Sequence, residues 1–98
     1  MKPTAVFINA SRGATVDEAA LISALHNKQI YGAGLDVFER EPIQSDNPLL
    51  NMPNVVALPH IGCATEQTRR DMAMLAATNL VSALYGHTPP NVVKELRR

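Results

Sequence analysis

Three short apolar runs each end in residues whose side chains take part in acid–base and carbonyl chemistry. These residues are Arg12 after the first run, Asp36 and Glu41 after the second, and His60 after the third. A guanidinium binds a carboxylate through two parallel hydrogen bonds, and an imidazole exchanges a proton near neutral pH. A carboxylate beside the imidazole favours its protonated form and fixes its tautomer. Arg12, Glu41 and His60 together would suit an acid substrate that carries a carbonyl or hydroxyl group.

Each of these residues also has a simpler explanation. Arg12 would then be a surface turn residue, Glu41 a solvated acid and His60 a cap for the following helix. Asp36 lies within an apolar run, so its carboxylate needs a partner, and neighbouring backbone amides would serve. A hydrolytic metal site of Asp36, Glu41, His60 and Cys63 is disfavoured, because no two of them have a tight ligand spacing on one helix.

The first half of the chain has the pattern of a strand, a helix and a second strand. The run Thr4 to Asn9 fits a strand buried on both faces, as in a parallel sheet. Asp17 is a good N-cap for a helix that fades near residues 26–28. A second strand over residues 30–38 then completes a right-handed βαβ unit.

Glycines and a long loop shape the rest of the predicted α/β sheet. Gly13 permits a backbone angle that other residues resist in the turn after the first strand, and Gly32 and Gly34 let another backbone come close. Residues 39–53 form a loop, and residues 55–58 form the third strand. Ligands bind outside the carboxyl ends of strands in open α/β sheets, so the function depends on whether the three polar strand ends meet there.

The last part of the chain has the strongest helical pattern. This helix is predicted to start near Thr65, and Gly86 is suited to end it. Thr88-Pro89-Pro90 then begins an extended tail.

The composition excludes several classes of function. Nine basic and nine acidic residues cancel, which gives no basic stripe for nucleic acid. One cysteine makes neither an internal disulfide nor a multi-cysteine zinc site. No apolar run approaches the roughly 18 residues of a membrane span, and residues 1–10 do not resemble a signal peptide. We therefore expect a cytoplasmic domain with no metal and no nucleic-acid or membrane partner.

Three motifs in order resemble the D-isomer-specific 2-hydroxyacid dehydrogenases, in particular the glyoxylate/hydroxypyruvate reductase and 2-ketogluconate reductase branch. They are FINASRGATVDE at residues 7–18, GAGLDVFEREP at residues 32–42 and NVVALPHIGCAT at residues 54–65. The resemblance implies the carboxyl-terminal half of a Rossmann-like nucleotide-binding domain, with parallel strands, a crossover helix and a long C-terminal helix. Residues 1–86 would form this partial NAD(P)-binding domain, in which residues 65–86 are the helix that returns to the substrate domain. Residues 87–98 would be an extended tail.

The resemblance also implies NAD(P)H-dependent reduction of a small 2-keto acid, such as glyoxylate or hydroxypyruvate, to the D-2-hydroxy acid. Arg12 would grip the α-carboxylate and polarise the carbonyl. His60 would protonate the carbonyl oxygen, and Glu41 would pair with His60 and keep it protonated. Asp36 would meet the nicotinamide end of the cofactor. The full set of implied cofactor contacts is Ala10, Ser11, Arg12, Asp36, His60, Ile61, Gly62 and Cys63.

Two departures from the family pattern bear on these expectations. Cys63 stands where serine or glycine is usual, with little expected effect on the fold. Gly32-Ala33-Gly34 has no third glycine at residue 37 and enters no helix, so it is not the pyrophosphate-binding fingerprint. Family members are about three times longer and carry that fingerprint upstream, so the chain corresponds to their carboxyl-terminal third.

Three hypotheses follow from the missing fingerprint. The chain is a chemically silent piece of the enzyme, or it is one half of a split enzyme completed by an amino-terminal piece, or it is a non-catalytic binding or dimerisation module. A homodimer and a small 2-keto or 2-hydroxy acid are the other expected partners.

Overall fold

The computed structural model describes residues 1–96, and the chain divides into two compact units, Met1–Gly62 and Cys63–Arg98. The first unit is an α/β unit with a three-stranded parallel sheet in the order β1-β2-β3. Its elements are β1 (Val6–Asn9), α1 (Glu18–His26), β2 (Gly32–Leu35) and β3 (Val55–Ala57), with 3₁₀ turns at Gly13–Thr15 and Pro48–Asn51. The predicted parallel strands and crossover helix are confirmed.

The register of the sheet brings the three strand ends to one edge. Asn9 at the end of β1 is paired with Leu35 of β2, and Leu35 is paired with Ala57 of β3. Because all three strands run in the same direction, the residues that follow them emerge side by side. The polar strand ends of the sequence are therefore neighbours in the first unit.

Helix α1 forms where its capping residue predicts. The Asp17 side chain accepts a hydrogen bond from the Ala20 amide at 3.0 Å, and Glu18 lies in the first turn, where a negative charge is favourable. The helix packs on one face of the sheet through Leu25, which is 2% exposed, beside Leu49 from the loop before β3.

The prediction that β1 is buried on both faces is wrong. Ile8 in β1 is 67% exposed and Val56 in β3 is 63% exposed, and both lie on the face of the sheet opposite α1. Within the first unit, α1 and the loop that contains Leu49 cover only one face of the sheet. A continuous apolar run therefore marks strand residues here without telling how many faces are covered.

Two glycines make room for neighbouring backbone. A Cβ on Gly32 would lie 2.6 Å from the Asn54 carbonyl oxygen, which confirms the predicted close approach. The reason predicted for Gly13 is wrong, because the glycine with a positive φ in the described chain is Gly86. Gly13 is required instead because its Cβ would lie 1.9 Å from the Phe38 carbonyl oxygen.

The second unit is built on α2 (Glu66–Leu84), which has no buried residue. Its N-cap is Thr65, not His60, and the Thr65 side chain accepts a hydrogen bond from the Thr68 amide at 3.1 Å. Gly86 follows the helix with a φ of 76°, so the predicted start and stop are both confirmed. None of the helices formed by residues 1–96 is long and apolar enough to cross a membrane.

The segment expected to be extended, residues 87–98, contains a 3₁₀ turn at Lys94–Leu96, and residues 97–98 lie outside the described chain. The side chains of Asn79 and Asn91 fix the start of this segment to α2. Asn79 donates to Asn91 Oδ1 and accepts from the Asn91 amide, each at 3.0 Å.

Candidate active site

The three residues predicted to act on a substrate lie around one pocket in the first unit. This pocket has a volume of about 330 Å³ and is open to solvent. Its lining residues are Arg12, Gly13, Ala14, Phe38, Glu39, Glu41 and His60. Because they come from all three strand ends, the sheet register is what brings a guanidinium, a carboxylate and an imidazole together.

His60 and Glu41 form a close pair at this pocket. His60 Nδ1 lies 2.7 Å from Glu41 Oε2, with side-chain exposures of 41% and 35%. The Phe38 amide donates to the other carboxylate oxygen, Glu41 Oε1, at 3.0 Å. The carboxylate is thus fixed by the backbone on one side and holds Nδ1 on the other. This leaves Nε2 as the ring nitrogen that can meet a substrate.

The hydrogen bond from His60 is the main reason why the pKa of Glu41 lies below its ordinary value of 4.5. The hydrogen bond from the Phe38 amide lowers this pKa further, and the positive charges of His60 and Arg12 add to the effect. Partial desolvation acts in the opposite direction. Glu41 is therefore ionised at neutral pH, the state in which it accepts the Nδ1–H hydrogen bond.

We expect the contribution of Glu41 to stability to disappear in acid. A carboxylate whose pKa is depressed in the folded state stabilises that state above the unfolded-state pKa, here 4.5, and the contribution is lost as the pH falls through the folded-state pKa. The free energy of unfolding in urea, measured at about pH 6 and about pH 3, should therefore differ between the natural chain and Glu41→Gln more at the higher pH. An equal difference at both pH values would contradict the pairing.

Arg12 is exposed and lies in the predicted turn after β1, and the part that Asn9 plays in this turn is what sequence reasoning missed. Its Nη1 donates to the Ser11 carbonyl at 2.7 Å, and its own carbonyl accepts hydrogen bonds from Asn9 Nδ2 at 3.2 Å and Thr15 Oγ1 at 2.6 Å. Asn9 is 6% exposed, and its Oδ1 also accepts from the Ser11 amide and hydroxyl. An asparagine at the end of an apolar run is the sequence signal that could have indicated this role of Asn9.

Asp36 is bonded to the turn that carries His60. Its two carboxylate oxygens accept hydrogen bonds from the Ile61 and Gly62 amides, each at 2.8 Å, and the residue is 8% exposed. The simpler explanation, in which Asp36 is satisfied by backbone amides, is therefore what the structure shows. The amides come from the turn after β3, 25 and 26 residues away along the chain.

A second pocket holds part of the expected cofactor set, and its lining residues Ala10 and Ile61 lie close in sequence to Arg12 and His60 of the first pocket. It has a volume of about 460 Å³ and lies at the exposed face of the sheet, at the ends of the strands. Its lining residues are Ile8, Asn9, Ala10, Gly34, Leu35, Asp36, Val56, Leu58, Ile61 and Gly62. Of the other expected contacts, Arg12 and His60 line the first pocket, Ser11 lies in the turn between Asn9 and Arg12, and Cys63 begins the second unit.

Comparison with known proteins gives consistent matches. The family model for the NAD binding domain of D-isomer specific 2-hydroxyacid dehydrogenases matches residues 1–62. Glyoxylate/hydroxypyruvate reductase B from Escherichia fergusonii is 62% identical over 93 residues, which are 95% of this chain and 29% of that protein.

Two solved structures have the same fold over nearly the whole chain. The NADPH-dependent glyoxylate/hydroxypyruvate reductase from Sinorhizobium meliloti, in complex with NADP and malonate, has a TM-score of 0.88 at 46% identity, with 98% of this chain and 31% of that one covered. A glyoxylate reductase from Paecilomyes thermophila has a TM-score of 0.89 at 41% identity, with 99% and 29% covered. The chain thus spans 29–31% of the length of these relatives.

Proposed function

The chain belongs to the D-isomer-specific 2-hydroxyacid dehydrogenase family, and from that premise we propose that it supplies the catalytic corner of an NAD(P)H-dependent 2-keto acid reductase. The substrate is a small 2-keto acid of the glyoxylate or hydroxypyruvate type, and the product is the D-2-hydroxy acid. The observation that carries the proposal is the pocket that Arg12 shares with the His60–Glu41 pair. These residues offer an anion-binding group and a proton donor within one pocket.

Arg12 binds the acid. Its guanidinium is exposed at the mouth of the pocket and can offer two parallel N–H groups to the α-carboxylate of the substrate. The same positive charge draws electron density from the adjacent carbonyl, which favours attack at its carbon.

His60 supplies the proton. Nε2 donates its proton to the carbonyl oxygen while the carbonyl carbon accepts a hydride, so that the C=O bond becomes an alcohol. Glu41, bonded to Nδ1 at 2.7 Å, orients the ring and accepts the Nδ1–H hydrogen bond, so the proton donor is the imidazolium, which carries its second proton on Nε2.

The second pocket fits the nicotinamide end of the cofactor. Ala10, Ile61 and Gly62 present apolar or backbone surface to a flat ring, and Asp36 offers a carboxylate at its edge. NAD(P)H, when bound, supplies the hydride. Ala10 lies two residues from Arg12 and Ile61 lies next to His60, which supports the placement of cofactor and acid side by side that hydride transfer requires.

Further parts of the proposal concern the organisation of the protein. Residues 1–86 form part of an NAD(P)-binding domain, in which residues 65–86 are the helix that returns to a substrate domain, and residues 87–98 are a tail. Ser11 and Cys63 complete the cofactor contacts. The chain is completed by an amino-terminal piece, which the 29% share of the E. fergusonii protein that it covers supports, or it forms a homodimer. A cytoplasmic location is supported by its single cysteine.

A chimaeric protein tests this function, because all of its proposed catalytic residues come from this chain. The part of the E. fergusonii reductase that precedes the matched segment is joined to residues 1–98, and oxidation of NADPH and NADH is followed with glyoxylate and with hydroxypyruvate. We expect turnover in the chimaera. Mixing the two pieces as separate chains distinguishes a split enzyme, which regains activity, from a silent piece, which does not.

Arg12→Ala in the same chimaera is the control for the assignment of the substrate. We expect a rise in KM and a fall in kcat for the keto acid, with a smaller change in the KM for NADPH, because the carboxylate and carbonyl of the substrate are the main partners of the arginine. A folded chimaera that binds NADPH but reduces neither keto acid would overturn the proposed function in favour of a non-catalytic module.

A further inference from the structure

His60 occupies a backbone conformation that few residues adopt. Its φ is 56°, in the left-handed region, and the only other non-glycine residue of the described chain with a positive φ is Lys28. Such a conformation persists where the surroundings hold it in place. The question is which group holds the backbone of His60, because Glu41 contacts only its ring.

Two consecutive residues at the end of β2 hold the chain on both sides of His60. On one side, the Leu35 carbonyl accepts a hydrogen bond from the Leu58 amide at 2.8 Å. On the other side, the Asp36 carboxylate accepts from the Ile61 and Gly62 amides at 2.8 Å each. Pro59 has no N–H to donate, so the Pro59–His60 segment is held by the hydrogen bonds of the residues before and after it.

Gly62 allows the carboxylate to come this close. A Cβ on Gly62 would lie 3.0 Å from Asp36 Oδ2, which is closer than such contacts normally are. The pair of hydrogen bonds to the Asp36 carboxylate therefore depends on an acid at residue 36 and on a glycine at residue 62. Both residues lie next to the second pocket, but the hydrogen bonds observed for Asp36 run to the histidine turn.

We propose that Asp36 is a positioning residue that holds the backbone of His60 in its left-handed conformation, while Glu41 orients the ring. The consequence for chemistry rests on the proposed function, but the placement of His60 does not. Without the carboxylate, the amides of Ile61 and Gly62 lose their acceptor and the turn is free to take a right-handed conformation. The ring then leaves the position from which Nδ1 meets Glu41.

Amide hydrogen exchange and NMR contacts on the full chain test this placement without any substrate. In Asp36→Asn, an NH₂ group replaces one carboxylate oxygen, so one of the two amides has no acceptor. We expect the Ile61 and Gly62 amides to exchange about tenfold to hundredfold faster. The nuclear Overhauser contact between the His60 ring and the Glu41 side chain should disappear as well. The Leu25 amide in α1 reports global stability and serves as the internal reference.

Glu41→Gln is the matched control, since it removes the ring partner and leaves the backbone attachment in place. Its Ile61 and Gly62 amides should exchange as in the natural chain. If Asp36→Asn does not fold, Gly62→Ala provides the readout, because it displaces the carboxylate while both residues keep their backbone groups. Unchanged exchange at Ile61 and Gly62, or faster exchange with the ring contact intact, would overturn the proposal.

A double-mutant cycle in the chimaera separates positioning from a direct contact with the cofactor. Asp36→Asn should lower kcat about tenfold or more when His60 is present. In the variant that also carries His60→Asn, it should cause little further loss of kcat. A full additional loss in the His60→Asn background would overturn the positioning role. Failure of the proposed function would instead abolish turnover in the unaltered chimaera and leave the exchange results unaffected.

Discussion

Replacing His60 by asparagine in the chimaera should lower kcat for glyoxylate reduction by about 10²–10⁴-fold, the usual contribution of a positioned general acid. Asparagine cannot donate a proton to the carbonyl oxygen as an acid does, but it tolerates a left-handed backbone. The turn that carries residue 60, with its φ of 56°, should therefore persist. The KM for the keto acid should change little, because Arg12 still binds the carboxylate.

The control is the same substitution at another histidine. His26 is exposed at the carboxyl end of α1 and lines neither of the two site pockets, so His26→Asn should leave kcat unchanged. Steady-state rates with saturating NADPH across a range of glyoxylate concentrations give both parameters. A His60→Asn chimaera that retains more than about a tenth of the parent kcat would remove His60 from the role of proton donor.

Much of this site could be predicted from the sequence, because parallel strands determine where their ends lie. Arg12, Glu41 and His60 each follow an apolar run, and a sheet in which Asn9, Leu35 and Ala57 are in register brings those positions together. The helix starts at Asp17 and Thr65 could be predicted for a different reason, since helix caps depend on local hydrogen bonds. Local rules and sheet geometry therefore account for the meeting of the three side chains.

The partners of buried polar groups could not be predicted in the same way. The need of Asp36 for a partner follows from its apolar surroundings, but the choice of Ile61 and Gly62 depends on the path of the chain after β3. Asn9 was missed because its hydrogen bonds to Arg12 and Ser11 are formed within a turn whose shape the sequence does not specify. Burial of the two faces of β1 likewise depends on what covers the sheet, which a strand pattern does not contain.

Gly13→Ala should destabilise the full chain by about 3 kcal/mol or more, the upper end of the usual cost of overfilling a packed site. The added Cβ would lie 1.9 Å from the Phe38 oxygen and 2.4 Å from the Glu39 nitrogen, which are backbone atoms that no side-chain rotation can move. Relief requires the turn after β1 to separate from the segment after β2. Urea unfolding at neutral pH, analysed by linear extrapolation, measures the loss.

Gly86→Ala is the same substitution, but we expect it to lower the stability of the chain for a different physical reason. A Cβ there meets nothing within 4 Å, but φ is 76°, so only the conformational penalty of about 1 kcal/mol is expected. The larger loss at Gly13 would show that close approach, and not backbone freedom, requires this glycine. Equal losses would contradict that explanation.

Because the backbone that Gly13 touches leads from Phe38 to Glu41, separation of the two segments should also move Arg12 away from the His60–Glu41 pair. The chimaera with Gly13→Ala should therefore lose affinity for the keto acid even at temperatures where it remains folded.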